Sequence, residues 1–229
     1  MRGLLWTIGF LLIGLLSGCS WRSYRGQVLA PTALATHRTV AILPFDVELT
    51  GLRDLVRPLG PWTDSAVRRP LSLQPTRPSP ERERLGHQFQ AALHAAFVRQ
   101  QAQHPSAVAY QLPADTNQRL ARAGITDANL TSRPMAELRA ALGVDAVLVG
   151  RSYVRQLLPG GVSVAILLLS NANPVADNGV HTYLDLYDAK SGQLAWHFDH
   201  ELRGRPNTSP AALAQALVRN MRRVPPYQQ

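Results

Sequence analysis

The chain has 229 residues, 45% of them hydrophobic, and a formal net charge of +9, which suits one domain with a real core, or one domain with extensions. Its single cysteine, Cys19, excludes an internal disulfide. The basic residues are arginines apart from Lys190, and they are spread along the chain without a long block of like charge, which argues against a nucleic-acid-binding arm.

Met1 and Arg2 make a short positive start, residues 4–16 are an almost unbroken apolar run, and Ser17 and Gly18 are small. That is the order of a secretory signal. The run is shorter than the about 20 residues of a transmembrane helix. Removing residues 1–18 takes away Arg2 and leaves a charge of +8. Residues 20–37 are polar and irregular, with Gly26 and Pro31, and read as a flexible tether. Residues 39–45 read as a buried strand bounded by Pro44 and Asp46. Residues 51–80 contain Pro58, Pro61, Pro70, Pro75, Pro78 and Pro80. Proline lacks an amide donor and fixes φ, so this stretch reads as a long loop.

Ser79, Pro80 and Glu81 then open a helix with a cap residue, a first-turn proline and an acid near its positive end. Leu85, Phe89, Leu93 and Phe97 follow at spacing four on one face, which predicts packing across a sheet; Arg82, Glu83 and Gln90 fall elsewhere on the cylinder. A short strand over 107–112, a helix over 115–123 stopped by Gly124, and a helix from Ser132 and Pro134 through Leu142 stopped by Gly143 come next. Residues 144–150 form a second buried strand that can continue through Tyr153 and Val154. A hydrophobic insert follows over 160–174. Val180, Thr182, Leu184 and Leu186 then alternate on one strand face, residues 188–192 make a glycine turn, and Trp196, Phe198 and Leu202 return on one face. This is a β-hairpin. Ser209 and Pro210 cap a last helix carrying Leu213, Leu217 and Met221, before a short polar tail, 225–229. The fold class expected is α/β, an α+β sandwich with a mixed β-sheet packed by helices, a C-terminal β-hairpin and a final helix, all in one domain over 38–224.

Candidate sites are few. His197, Asp199 and Glu201 share one strand face and are of metal-ligating type, with His200 close by in sequence. The same alternation sends Trp196 and Phe198 to the core, so a solvated polar face is the preferred reading, and no cofactor or metal is expected. Asp46 and Glu48 follow a strand end, where carboxylates can serve as acid and base, but a solvated pair is favoured. Pro159, Gly160 and Gly161 lack the lysine and helix of a phosphate loop, and no serine sits in a G-x-S-x-G elbow. Val162, Val164, Ile166 and Leu168, in the most apolar stretch after the signal, read as a central strand or as a contact with a partner, a second copy or the bilayer.

The tetrapeptide Leu16-Ser17-Gly18-Cys19 resembles the lipobox of bacterial lipoproteins. The resemblance implies cleavage between Gly18 and Cys19 and acylation of Cys19, giving a palmitate-type anchor that holds the mature protein in a membrane. Ser20, in place of an aspartate, implies the outer membrane under the enterobacterial sorting pattern, facing the periplasm. Three further stretches, residues 39–45, 142–150 and 184–196, together resemble a broad group of envelope lipoproteins with an anticodon-binding-like or Tol-protein amino-terminal-like fold. That group includes the curli-secretion-channel lipoprotein and the lipoprotein activators of penicillin-binding proteins, and an uncharacterised Bacteroidetes-type lipoprotein family is the nearest in pattern. None of the motifs is catalytic. The expectation is a non-catalytic binding or accessory lipoprotein of the cell envelope, with an envelope protein or cell-wall partner and no nucleic acid. The alternatives are a homo-oligomeric secretion-pore subunit and a metal-dependent or hydrolytic enzyme. The apolar stretch of the insert, residues 162–169, has about eight residues where a membrane strand needs about 9–11.

Overall fold

The computed structural model describes residues 22–50, 79–155, 179–203 and 209–227. The signal, Gly18, Cys19, most of the proline-rich stretch and the insert with Val162, Val164, Ile166 and Leu168 lie outside the described residues.

The elements in chain order are β1 (Arg22–Val28), α1 (Pro31–Thr36), β2 (Thr39–Ile42), β3 (Asp46–Thr50), α2 (Pro80–Gln103), β4 (Ala109–Tyr110), α3 (Pro113–Arg122), a 3-10 turn (Leu130–Ser132), α4 (Met135–Leu142), β5 (Ala146–Arg155), β6 (Gly179–Asp188), β7 (Leu194–Arg203) and α5 (Pro210–Met221). Among the described residues the strands form one mixed sheet in the order β1-β7-β6-β5-β2-β4, with β3 also on β5. β2, β3 and β4 are parallel additions, and β5, β6, β7 and β1 pair antiparallel. The mixed α/β architecture agrees with the sequence reading.

Two cores lie on opposite faces. On one, Phe89, Leu93 and Phe97 of α2 and Leu213, Leu217 and Met221 of α5 pack on Leu148, Leu184, Trp196 and Phe198. Each such side chain contributes about 1.5–3 kcal/mol when fully buried. On the other, Leu120 of α3 and Leu138 and Leu142 of α4 cover Ala41, Leu43 and Val147, near the β2 side. The helix signals act as read. Ser79 and Ser209 accept backbone N–H groups at the starts of α2 and α5, and Gly143 takes the left-handed conformation, φ 66°, that ends α4.

Several boundaries differ from the sequence reading. Residues 22–36 are no tether: β1 pairs along β7 from Arg22–Leu202 to Val28–Trp196, and α1 follows. A short polar edge strand lacks the apolar alternation that marks buried strands, so composition hid it. The strand at 39–45 breaks after Ile42, and its line resumes as β3. Pro44 has no amide to donate, and the chain spends three residues, 43–45, against two, 149 and 150, on β5. Asp46 and Glu48 therefore lie within a strand. Gln90 is fully buried, because its side-chain amide donates to the Ile42 carbonyl at 2.8 Å and meets Asn117 at 3.0 Å. The tail after Pro225 is docked, with the Tyr227 hydroxyl 3.1 Å from His37 Nδ1.

Candidate functional site

Cross-strand register builds the site. Among the described residues, α3 and α4 pack only near the β2 side of their face, and the rest of it, across β5, β6, β7 and β1, carries polar and aromatic rows. One row aligns Asp46, Arg151, Tyr183, Asp199 and Arg25. The next aligns Glu48, Tyr153, His181, Glu201 and Ser23, and on the other side His197 stands opposite Asp185. Directly opposed residues have Cβ atoms about 5 Å apart, so the rows act as continuous ladders.

Two imidazole–carboxylate pairs dominate. His197 Nδ1 lies 2.6 Å from Asp185 Oδ1, and His181 Nε2 lies 2.5 Å from Asp199 Oδ1. Tyr183 stands between them: its ring is 4.3 Å from that of His181 and 6.1 Å from that of His197, and its hydroxyl is 3.1 Å from His181 Nδ1. Tyr153 meets Tyr183 edge-on at 6.0 Å, and Arg151 Nε is 3.6 Å from Asp46. The hydrogen bond His197 donates to Asp185 holds it above its ordinary value, against burial, with the charges of Asp185 and Asp199 adding to the effect.

Tyr183, His181 and Asp199 have the connectivity of a nucleophile–base–orienter relay. Burial first, then the Asp199 charge, push the Tyr183 hydroxyl up. The same effect, burial followed by Asp185, takes Tyr187 up to about 12. The rows are built for hydrogen bonding, stacking and charge pairing.

His197, Asp199 and Glu201 do share one face, as the alternation requires, but each turns to a different partner: Asp185, His181 and Ser23. Among the described residues no group of three or more His, Cys, Asp or Glu side chains can hold a metal. His200 points the other way, fully buried, stacked on Phe198 at 6.3 Å and receiving the Asn220 amide at Nε2, 2.9 Å away. The sequence reading missed Asp185, His181 and Tyr183. Their signal was present, because the residues of β6 that alternate with Val180, Thr182 and Leu184 must share a face with His197 and Asp199.

No protein-family model and no curated protein matches the chain. Among solved structures, a PelC dodecamer from Paraburkholderia phytofirmans is similar at 12% identity and a TM-score of 0.41, over 91% of this chain and 100% of that one. Lipoprotein GNA1162 from Neisseria meningitidis is similar at 14% identity and 0.42, over 81% of this chain and 96% of that one. The C-terminal domain of LpoB from Salmonella enterica is similar at 8% identity and 0.33, over 75% and 93%.

A second polar cluster sits at the far end of the hairpin. Asp188 accepts the Ser191 amide at 2.6 Å and hydroxyl at 2.5 Å through Oδ2, and meets His37 Nε2 at 3.1 Å through Oδ1. Burial would push this carboxyl up; the Ser191 hydrogen bonds and then His37 outweigh it and hold it below the usual range. Ser191 donates to the carboxylate and not to the imidazole, so the cluster closes the turn and joins it to α1 without activating a nucleophile. Tyr227, on the other side of His37, borders a cavity of about 270 Å³ with Phe97 and Tyr110.

Proposed function

We propose that this chain is a lipid-anchored cell-envelope protein, held in the outer membrane by acylated Cys19 and acting in the periplasm as a non-catalytic binding or accessory lipoprotein. The observation that carries the reading is the start of β1 at Arg22, three residues after Cys19, as a paired strand at the sheet edge. A lipobox directly followed by a folded strand fits a domain suspended from its anchor. The polar and aromatic rows around Tyr183 support a binding role, because they set hydrogen-bonding, stacking and charged groups side by side on one face of the sheet.

The test is intact mass of the membrane-extracted protein beside a Cys19→Ala variant. The expected result is a mature chain beginning at Cys19 with two or three acyl chains, and release of the variant into the soluble fraction. An unacylated wild-type product overturns the reading. Ring-shaped particles in detergent replace the accessory role with a secretion-pore subunit. A metal-dependent hydrolytic activity lost in His197→Ala replaces it with an enzyme.

A further inference from the structure

The C-terminal tail is narrower than the groove it lies in. Pro225, Pro226 and Tyr227 make no backbone hydrogen bond to a described residue, and the two prolines have no amide to give. Side-chain contact holds them: the Tyr227 hydroxyl is 3.1 Å from His37 Nδ1, and the two rings meet edge-on at 6.0 Å. A cavity of about 270 Å³ opens on each side. The first is bordered by the stacked rings of Phe97 and Tyr110, 4.6 Å apart and nearly parallel at 6°, and the second by Leu34 and Val108. Pro226 and Tyr227 line both, so the tail is the partition between them. Every residue lining the two cavities is described, and His37 meets Asp188 at the opposite end of β6 from Gly179, away from the strand ends where the chain leaves the described residues.

Protein interiors are close-packed, and a void on each flank of a segment forfeits contacts on both. Without the tail the two cavities are one groove, in the range of about 300–1,000 Å³ that ligand sites occupy. Its present occupant shows what it accepts: prolines against an aromatic and aliphatic wall, and a phenol presented to an imidazole. His37 is fully buried, so its Nδ1 needs a partner from whatever segment lies there. Tyr110 offers a second polar contact, a hydroxyl with no hydrogen-bond partner among the described residues.

We propose that this groove is a peptide-docking site whose resident occupant is the chain's own tail. The partner is an extended segment of another protein carrying a Pro-Pro-Tyr sequence, which displaces Pro225, Pro226 and Tyr227 and sets its own tyrosine against His37. The groove shares no residue with the polar rows around Tyr183 and does not depend on the anchor at Cys19, so it stands or falls apart from the function proposed above.

The test uses the full-length protein in detergent and a fluorescein-labelled peptide of residues 224–229, read by fluorescence polarisation. Wild type is expected to bind it saturably but weakly, because only the fraction of molecules with the tail displaced is open to it. Tyr227→Ala removes the tail's hold on His37 and leaves the Val224 carbonyl with Trp196. It is expected to bind about tenfold tighter, the scale of one buried hydrogen bond. A Tyr227→Phe form of the peptide, which lacks the hydroxyl, should lose that gain. Ser106→Trp, at an exposed position lining both cavities, should abolish binding without lowering the melting temperature. No binding to a folded Tyr227→Ala protein overturns the docking site. Equal affinity in wild type, Tyr227→Ala and Ser106→Trp puts the peptide elsewhere and also overturns it. No binding to wild type makes the tail a fixed part of the fold, with the same consequence. A wild-type dimer that the peptide dissolves gives the groove to the tail of a second copy and overturns the partner. If Tyr227→Ala does not fold, the comparison is made on Tyr227→Phe, which keeps the ring and drops only the hydroxyl contact with His37.

Discussion

His197 and His94 link the fold to pH with opposite signs. His197 titrates above its ordinary value of 6.5 because it donates a hydrogen bond to Asp185. Its contribution to stability is complete below pH 6.5 and is lost as the pH rises through its folded value. His94, on α2, is lowered by burial, only partly offset by a hydrogen bond to the Tyr110 backbone. Its contribution is present above pH 6.5 and is lost as the pH falls through its folded value. Asp185→Asn is therefore expected to bring the His197 titration down toward 6.5 while leaving His94 unmoved, read by NMR of the imidazole protons. A His197 titration unchanged by the substitution shows that the pair does not form in solution. The same variant should lose stability at pH 6 relative to wild type and little at pH 9, measured by thermal melts at both.

At the scale of elements, α2 is held to the sheet by close approach as much as by its apolar face. A Cβ on Gly86 would sit 2.3 Å from the Phe45 carbonyl oxygen, and one on Gly150 would sit 2.5 Å from the Phe45 ring. Phe45 is thus clasped between helix and strand, and its amide donates to the Gly86 carbonyl at 3.2 Å. Gly86→Ala sets two effects against each other. Alanine gains about 1 kcal/mol in helix propensity. The contact is with backbone, which cannot rotate away, so α2 must shift and lose packing along Phe89 and Leu93. The clash wins, and a net destabilisation of about 2 kcal/mol is expected in urea unfolding. A stabilised variant would mean that α2 stands further from the β2–β3 link.

At the scale of the molecule, the last described residues close onto the first. Arg223 Nη1 donates to the Tyr24 hydroxyl at 2.6 Å, the Trp196 indole N–H donates to the Val224 carbonyl at 3.1 Å, and the Val224 side chain fills the space a Cβ on Gly26 would need. Tyr227 completes the seam at His37, where burial pushes its phenol up. Removing the residues after Arg223 leaves the buried Trp196 donor without its acceptor, which costs about 1–3 kcal/mol. The expected result is a melting temperature lower by about 5 °C by calorimetry. An unchanged melt shows that the seam is not part of the cooperative fold.

The sequence by itself determined the kinds of elements and their inward faces. Spacing four marked Phe89, Leu93 and Phe97; alternation marked Val180, Thr182, Leu184 and Leu186 against Trp196, Phe198 and Leu202; and all of these are buried. Caps and stops at Ser79, Ser209 and Gly143 were legible because they are local. What only the tertiary structure decided depends on pairing at long range. The hairpin turn joins Asp188 to Gln193 and sets Tyr187 opposite Leu194. Continued without a break, that register would put Trp196 opposite Asp185 and turn one strand's apolar set outward. A bulge at Leu186/Tyr187 restores Leu186 to Trp196, and with it Asp185 to His197. The alternation demands such a shift, but its position is chosen by packing: Ala195, the extra residue, is fully buried, and its carbonyl accepts the amides of Leu29 and Ala30. The edge strand β1 and the docked tail likewise depend on partners more than a hundred residues apart, and the polar rows extend the hairpin's register across β5 and β1.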